Sequence, residues 1–184
     1  MRLDNYLVEV KGIRSRSWAK KLIQDQKVLV NNIPAKKAGV IIEEKDVVEV
    51  LEDFKFVSRG GYKLEKALEL FDIQVKERVC LDVGASTGGF TDCLLQNGAR
   101  LVYGIDVGSG QMDEKIKNDS RVVCLEKINA RRLDDLIRTK LLAPFQPEPN
   151  LIVADLSFIS LTLVLKAVVN SVAKNAEFIV LIKP

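Results

Sequence analysis

The sequence predicts an α/β protein, in which a mainly parallel, doubly wound sheet over residues 58–184 follows a small α+β domain at 1–57. Three observations lead there. Short apolar runs rich in β-branched residues alternate with amphipathic segments through the second region, the rhythm of strand–helix–strand units. The run at 79–83 ends in a glycine-rich turn before a segment that continues as a helix. The charge is also uneven. Residues 1–40 carry nine Lys and Arg against three Asp and Glu, whereas residues 41–57 carry two against six.

From the N-terminus, Leu3, Leu7 and Val10 recur at helical spacing with Tyr6 beside them, and Gly12 stops the helix. Ser15 is placed to cap a second helix whose apolar face is Trp18, Ala19, Leu22 and Ile23. Arg14, Arg16, Lys20, Lys21 and Lys27 fall on or beside its exposed side. Residues 28–30 read as a strand and Asn31-Asn32 as a hairpin turn in the place of Asn-Gly. A basic loop over 34–40 holds Lys36 and Lys37, and 47–50 reads as another strand. Such a lobe implies one face that meets phosphates.

Residues 58–64, Ser-Arg-Gly-Gly-Tyr-Lys-Leu, read as a glycine-hinged linker entering a helix with Leu64, Ala67, Leu68 and Phe71 on its apolar face. Strands follow at 79–83, 101–105, 121–125, 150–155 and 178–183, with helices near 90–97, 111–118, 132–141 and 160–173. Sheets of this kind carry helices on both faces and bind ligands beyond the carboxyl ends of their strands. Those ends carry Asp82, Asp106 and Asp155, with Lys183 closing the last strand.

The turn after the first of these strands is Asp82-x-Gly84-x-x-x-Gly88-Gly89. It departs from the dinucleotide fingerprint because Ser86 stands where the second glycine would be. A strand, a tight turn and a helix N-terminus still make a site for a nucleotide-like ligand. An acid at the strand end repels a pyrophosphate and suits a cationic amino group, which S-adenosylmethionine has. Asp106 ends the next strand, where an acid binds ribose hydroxyls. The expected cofactor contacts are therefore Asp82, Gly84, Ala85, Ser86, Gly88, Gly89, Phe90 and Asp106. A lysine at a buried strand end needs a partner or a lowered charge. Lys183 beside Asp155, with Lys63 as the second lysine, would orient a sugar hydroxyl and accept its proton.

The chain has no histidine, which removes histidine triads, histidine bases and most zinc sites, and no metal site is expected. Cys80, Cys93 and Cys124 have no metal-ligand spacing and read as core residues of a reducing compartment. No signal peptide and no apolar run near the ~20 residues of a spanning helix are seen, so a cytoplasmic protein without membrane association is expected. The segment after Asp155 lacks both the Asn/Asp-Pro-Pro-aromatic tetrapeptide and the Pro-Cys nucleophile of nucleobase methyltransferases.

Arg2-Leu3-Asp4-x-x-Leu7, Ser15-Arg16-x-x-Ala19-x-x-Leu22-Ile23, Val28-x-Val30-Asn31 and Asp46-x-Val48-x-Val50 together resemble the RNA-binding module first seen in ribosomal protein S-four. Asn32 replaces that family's usual glycine. The resemblance implies two helices on a few strands, structured RNA as partner, and Arg14, Arg16, Lys20, Lys27, Lys36 and Lys37 facing it. Further on, Arg59-Gly60-Gly61-x-Lys63, the segment 82–90, Gly104-Ile105-Asp106-Val107-Gly108, the segment 154–160 and Ile182-Lys183-Pro184 resemble, in this order, the TlyA family. That hemolysin-named family comprises S-adenosylmethionine-dependent 2′-O-ribose methyltransferases of ribosomal RNA with an FtsJ-like catalytic domain. This resemblance implies a Rossmann-like methyltransferase domain, S-adenosylmethionine as cofactor, and ribosomal RNA or ribosomal subunits as partner, with cytidine as the target. It also implies a Lys-Asp-Lys-Glu tetrad, matched by Lys63, Asp155 and Lys183, and a third cofactor segment at Glu126 and Asn129-Ala130-Arg131. The tetrad glutamate has no counterpart before Pro184, so the sheet is expected to be incomplete at its C-terminal end. A non-catalytic RNA-binding or ribosome-assembly factor retaining the fold is the alternative. A pore-former is disfavoured by the lack of a long apolar segment.

Overall fold

Leu3 and Leu7, one helical turn apart, are fully buried and fix which face of the first helix points inward. The computed structural model describes residues 1–51, 54–157 and 159–183, in two units, 1–55 and 56–184. Phe158 and Pro184, which complete two of the sequence motifs, lie outside the described residues.

In the first unit, α1 (Leu3–Glu9) and α2 (Arg16–Gln24) pack on β1 (Val28–Val30), β2 (Ile33–Pro34) and β3 (Val48–Val50), an antiparallel sheet in the order β2-β1-β3. Ser15 caps α2 as expected, its Oγ accepting the Trp18 N–H at 3.3 Å. Asn31 and Asn32 both take positive φ, 53° and 64°, which the tight hairpin between β1 and β2 demands. Val10 departs from expectation. α1 ends at Glu9, and Val10 is 57% exposed. Ile13, whose N–H bonds to Leu7 O, packs against the core in its place.

The second unit comprises α3 (Arg59–Leu70), β4 (Val79–Val83), α4 (Gly89–Gln96), β5 (Leu101–Ile105), α5 (Glu114–Lys117) and β6 (Val122–Leu125), then a 3₁₀ turn at Ala130–Arg132, α6 (Leu133–Arg138), β7 (Leu151–Ala154), α7 (Thr162–Val169) and β8 (Glu177–Val180). The five strands run parallel in the order β6-β5-β4-β7-β8. Alternate residues feed two cores. Cys80, Val102, Leu151 and Val153 meet α3, α4 and α5 on one face, while Leu81, Val83, Ile105 and Ile152 meet α6 and α7 on the other. Burial on both faces is what makes these strands nearly continuous apolar runs, and the sheet is doubly wound. Cys80 belongs to this interior, and burial pushes its thiol up to about 12.

Several elements are shorter than their sequence patterns. β8 stops at Val180 instead of reaching Lys183, because among the described residues it pairs only with β7, whose ladder ends at Ala154 opposite Val180. Residues 58–61 are no linker: α3 begins at Arg59 and contains both glycines. A Cβ on Gly61 would lie 2.3 Å from Phe56 Cγ, and one on Gly89 would lie 2.0 Å from Ser58 Oγ. Gly61 leaves room for Phe56 against α3, and Gly89 lets the N-terminus of α4 approach that of α3 closely. We expect Gly61→Ala to destabilise the unit by about 2–3 kcal/mol, the cost of overpacking a fixed core. Urea unfolding measures it, and an unchanged midpoint would contradict the packing role.

Candidate active site

Chain order reverses at β4: β5 and β6 lie on one side of it, β7 and β8 on the other. Crevices form beyond the carboxyl ends of strands at such a point. Gly84, at φ 82°, turns the chain sharply there. A Cβ on it would meet Leu156 Cδ2 at 2.9 Å, so the ends of β4 and β7 can close together only around glycine. Ser86 follows at φ 48° and Gly88, the cap of α4, at φ 87°.

Two cavities open at these strand ends, of about 560 and about 580 Å³, and they share Gly84, Ser86, Asp155 and Ser157. The first is the more polar of the two and is walled by Ser58, Arg59, Lys63, Asp82, Thr87 and Phe90, with Ala85 and Gly89 in its lining. The second is more apolar, with Ile105, Val107, Ile128, Ala130, Leu156 and Val164 around Asp106 and Asn129. All the sequence-predicted cofactor contacts except Gly88 line one cavity or both.

Each acid has a distinct environment. Asp106 is pinned by backbone donors: the Ser86 N–H reaches Oδ2 and the Gly108 N–H reaches Oδ1, both at 2.8 Å. Asp82 lies one residue inside the strand end rather than at it, and is 1% exposed. Thr91 Oγ1 donates to its Oδ2 at 2.7 Å. Burial pushes its carboxyl up to about 7; the Thr91 hydrogen bonds pull the other way, and the charges of Asp106 and Asp155 add to the rise.

Asp155 stands between the two lysines. Lys63 Nζ donates to Oδ2 at 2.8 Å, and Lys183 Nζ lies 2.5 Å from Oδ1. The Lys183 hydrogen bonds go to Leu156 O and Ser157 Oγ, both at 2.9 Å, so Oδ1 is neutralised by charge without an N–H aimed at it. Burial pushes the Asp155 carboxyl up. The close approach of Lys183, the Lys63 hydrogen bond and the charges of both lysines outweigh it, and the group is held below its ordinary value. The lysines are not buried, with side chains 48% and 41% exposed, and Lys183 lies three residues past β8. Water therefore solvates them, and the expectation of a lysine buried at a strand end is corrected.

Glu126 accepts the Gly110 N–H at 2.6 Å, and Asn129 Oδ1 caps the 3₁₀ turn through the Arg131 N–H at 3.1 Å. Sequence reasoning did not single out Ser58, Thr91 or Ser157. Thr91 becomes visible only when the tight turn folds α4 back onto β4, and Ser58 only when α3 packs on α4.

In the first unit, Arg14, Lys20, Lys36 and Lys37 are exposed and Lys27 is half-buried. Arg16 is exposed as well, with 56% of its side chain open to solvent, and it donates to Asp4 at 2.9 Å. Among the described residues no helix is long and apolar enough to cross a membrane.

Comparison with known proteins matches residues 56–184 to the FtsJ-like methyltransferase model and residues 1–48 to the S4 domain model. Over the whole chain it is 43% identical to Hemolysin A of Brachyspira hyodysenteriae, of which it spans 74%. It is 44% identical to the 16S/23S rRNA (cytidine-2′-O)-methyltransferase TlyA of Mycobacterium tuberculosis, of which it spans 66%. A solved hemolysin-named structure from Streptococcus thermophilus superimposes with a TM-score of 0.62 at 36% identity, covering 94% of this chain and 62% of its own. The strand-end crevice, the doubly wound sheet and these matches agree, and the chain belongs to the FtsJ-like methyltransferase family, with an S4 domain ahead of its methyltransferase domain.

Proposed function

We propose that this protein methylates the 2′-hydroxyl of a ribose in ribosomal RNA with S-adenosylmethionine as donor, residues 1–57 docking the RNA and 58–184 holding the donor. The observation that carries the reading is the Lys63–Asp155–Lys183 cluster, whose central Asp155 lines both strand-end cavities. The residues present fit the donor. The apolar cavity can take the adenine between Val107, Ile128, Ala130 and Leu156, with Asp106 at the ribose hydroxyls. The loop 84–89 and the buried Asp82 suit a cationic amino acid moiety on the polar side. When bound, S-adenosylmethionine supplies an electrophilic methyl group on its sulfonium.

The chain's own residues supply position and proton handling. Lys63, half exposed and paired with Asp155, orients the ribose hydroxyl at Nζ, and the proton released as the oxygen reacts passes through Nζ to water. Asp155 stabilises the Lys63 ammonium, and Lys183, anchored on Leu156 O and Ser157 Oγ, holds the carboxylate in place from its other side. A cytidine target is supported by the name of the M. tuberculosis relative, and action where ribosomes are found follows from it.

The test is nucleoside analysis of ribosomal RNA incubated with the protein and S-adenosylmethionine. The expected product is 2′-O-methylcytidine. A base-methylated nucleoside, or no methylated product from folded protein, would contradict the proposal.

A further inference from the structure

A second charged cluster lies in the first unit, outside the crevice. Asp4, in the first turn of α1, is 0% exposed. Arg2 Nε and Nη2 donate to its two oxygens at 3.0 and 3.1 Å, Arg16 Nη2 donates at 2.9 Å, and the Asn5 N–H adds a contact at 3.1 Å. The hydrogen bonds from Arg2 and then Arg16 hold the carboxyl well below the usual carboxylate range, against burial. Asp4 is thus a fixed anion at the base of two guanidiniums.

Both guanidiniums remain open to solvent, with side chains 46% and 56% exposed. A guanidinium carries five N–H groups. Arg2 commits two of them to Asp4 and Arg16 one, so three and four are left over. The basic loop is tied beside them: the Asp4 N–H bonds to Ala38 O at 3.0 Å and the Leu3 N–H to Val40 O at 2.7 Å. Gly39 leaves room for the fork, since a Cβ there would lie 3.2 Å from Arg2 Nη1. Lys36 and Lys37 precede it on the same loop and are exposed. A buried ion cluster is weak as a source of stability, because removing its charges from water offsets most of the attraction. It is effective at fixing the direction of planar donor forks, the geometry that recognises a phosphate.

We propose that Asp4 is a positioning residue, which aims Arg2 and Arg16 as a paired fork at one backbone phosphate of structured RNA. The proposal rests on the reading of this unit as RNA-binding. It adds Arg2, which the sequence pattern left out of the RNA face, and gives the buried acid a task.

Positioning and simple charge counting predict opposite signs for Asp4→Asn. Removing a negative charge from a basic surface should tighten RNA binding by Coulomb attraction alone. Loss of the base that orients both forks should weaken it. The experiment measures binding of purified ribosomal RNA over a range of salt to wild type, Asp4→Asn, Arg2→Lys and Arg16→Lys, each held below its own melting temperature as followed by circular dichroism. The expected result is about tenfold weaker binding by Asp4→Asn despite its more positive surface. Each lysine variant, with its charge kept and its fork lost, is expected to bind about fivefold more weakly at nearly the same salt slope. Binding by Asp4→Asn as tight as wild type or tighter overturns the proposal. If Asp4→Asn does not fold, the lysine variants decide, and unchanged affinity in both overturns it. Wild type that binds no RNA instead overturns the RNA reading of the unit, a distinct outcome.

Discussion

Lys63→Ala is expected to lower methyl transfer to RNA by at least about 100-fold, the lower end of what a positioned proton acceptor contributes, while S-adenosylmethionine affinity stays within a few fold. The separation follows from position. Lys63 Nζ lies at Asp155 in the polar cavity, whereas Asp106 and the apolar walls that fit the adenosine belong to the other. Asp155→Asn should lose transfer to a similar degree, because two ammonium groups would then face each other across a neutral amide. Single-turnover transfer and calorimetric cofactor binding, measured on the same preparations, separate the two effects. Turnover unchanged in Lys63→Ala would remove the cluster from the chemistry.

Asp82→Asn is expected to weaken cofactor binding by about 10- to 100-fold at pH ~8 and to stabilise the unliganded protein there. The carboxyl is buried and its pKa is raised from 3.8 to about 7. Between those values the folded state holds a proton that the unfolded chain has lost. Stability therefore falls as pH rises from about 4 to about 7, and the penalty is complete above about 7, at most on the order of 4 kcal/mol for a shift of this size. A cationic group beside the carboxylate reverses the balance. S-adenosylmethionine should bind more tightly at pH ~8 than at pH ~6 and release a proton on binding near pH ~6.5. The Asp82→Asn variant should lose both the proton release and the decline of unliganded stability with pH. Equal affinities at the two pH values in wild type would place the amino group elsewhere.

Much of this was legible in the sequence because the signals were local. The glycine turn after β4, the acid ending β5 and the apolar runs of a doubly wound sheet each depend on residues close together in the chain. The Ser15 cap and the Asn31-Asn32 hairpin are local too. What the pattern misread was set by packing and pairing in three dimensions, which spacing along the chain does not show. β8 is short because β7 is short, and the glycines at 60 and 61 looked like a hinge because nothing nearby shows Phe56 filling the space at Gly61. Val10 matched the helical period but lies past the end of α1, and Ile13 took its place in the core. Lys63 and Asp155 are 92 residues apart, and no local spacing pairs them: the charge requirement at the strand ends and the family resemblance did. Asp4 escaped notice because a lone aspartate in a first helical turn reads as a solvated dipole partner, and its burial is visible only with Arg2 and Arg16 in place.

The claim on which the rest depends is that the crevice at the ends of β4, β5 and β7 holds the methyl donor. Calorimetric titration of S-adenosylmethionine into the protein, with Asp106→Ala as the control, tests it directly. The account predicts one site of micromolar affinity, weakened at least about tenfold in the control because the pinned carboxylate that meets the ribose is gone. No heat of binding from folded wild-type protein, or binding that Asp106→Ala leaves unchanged, would contradict it.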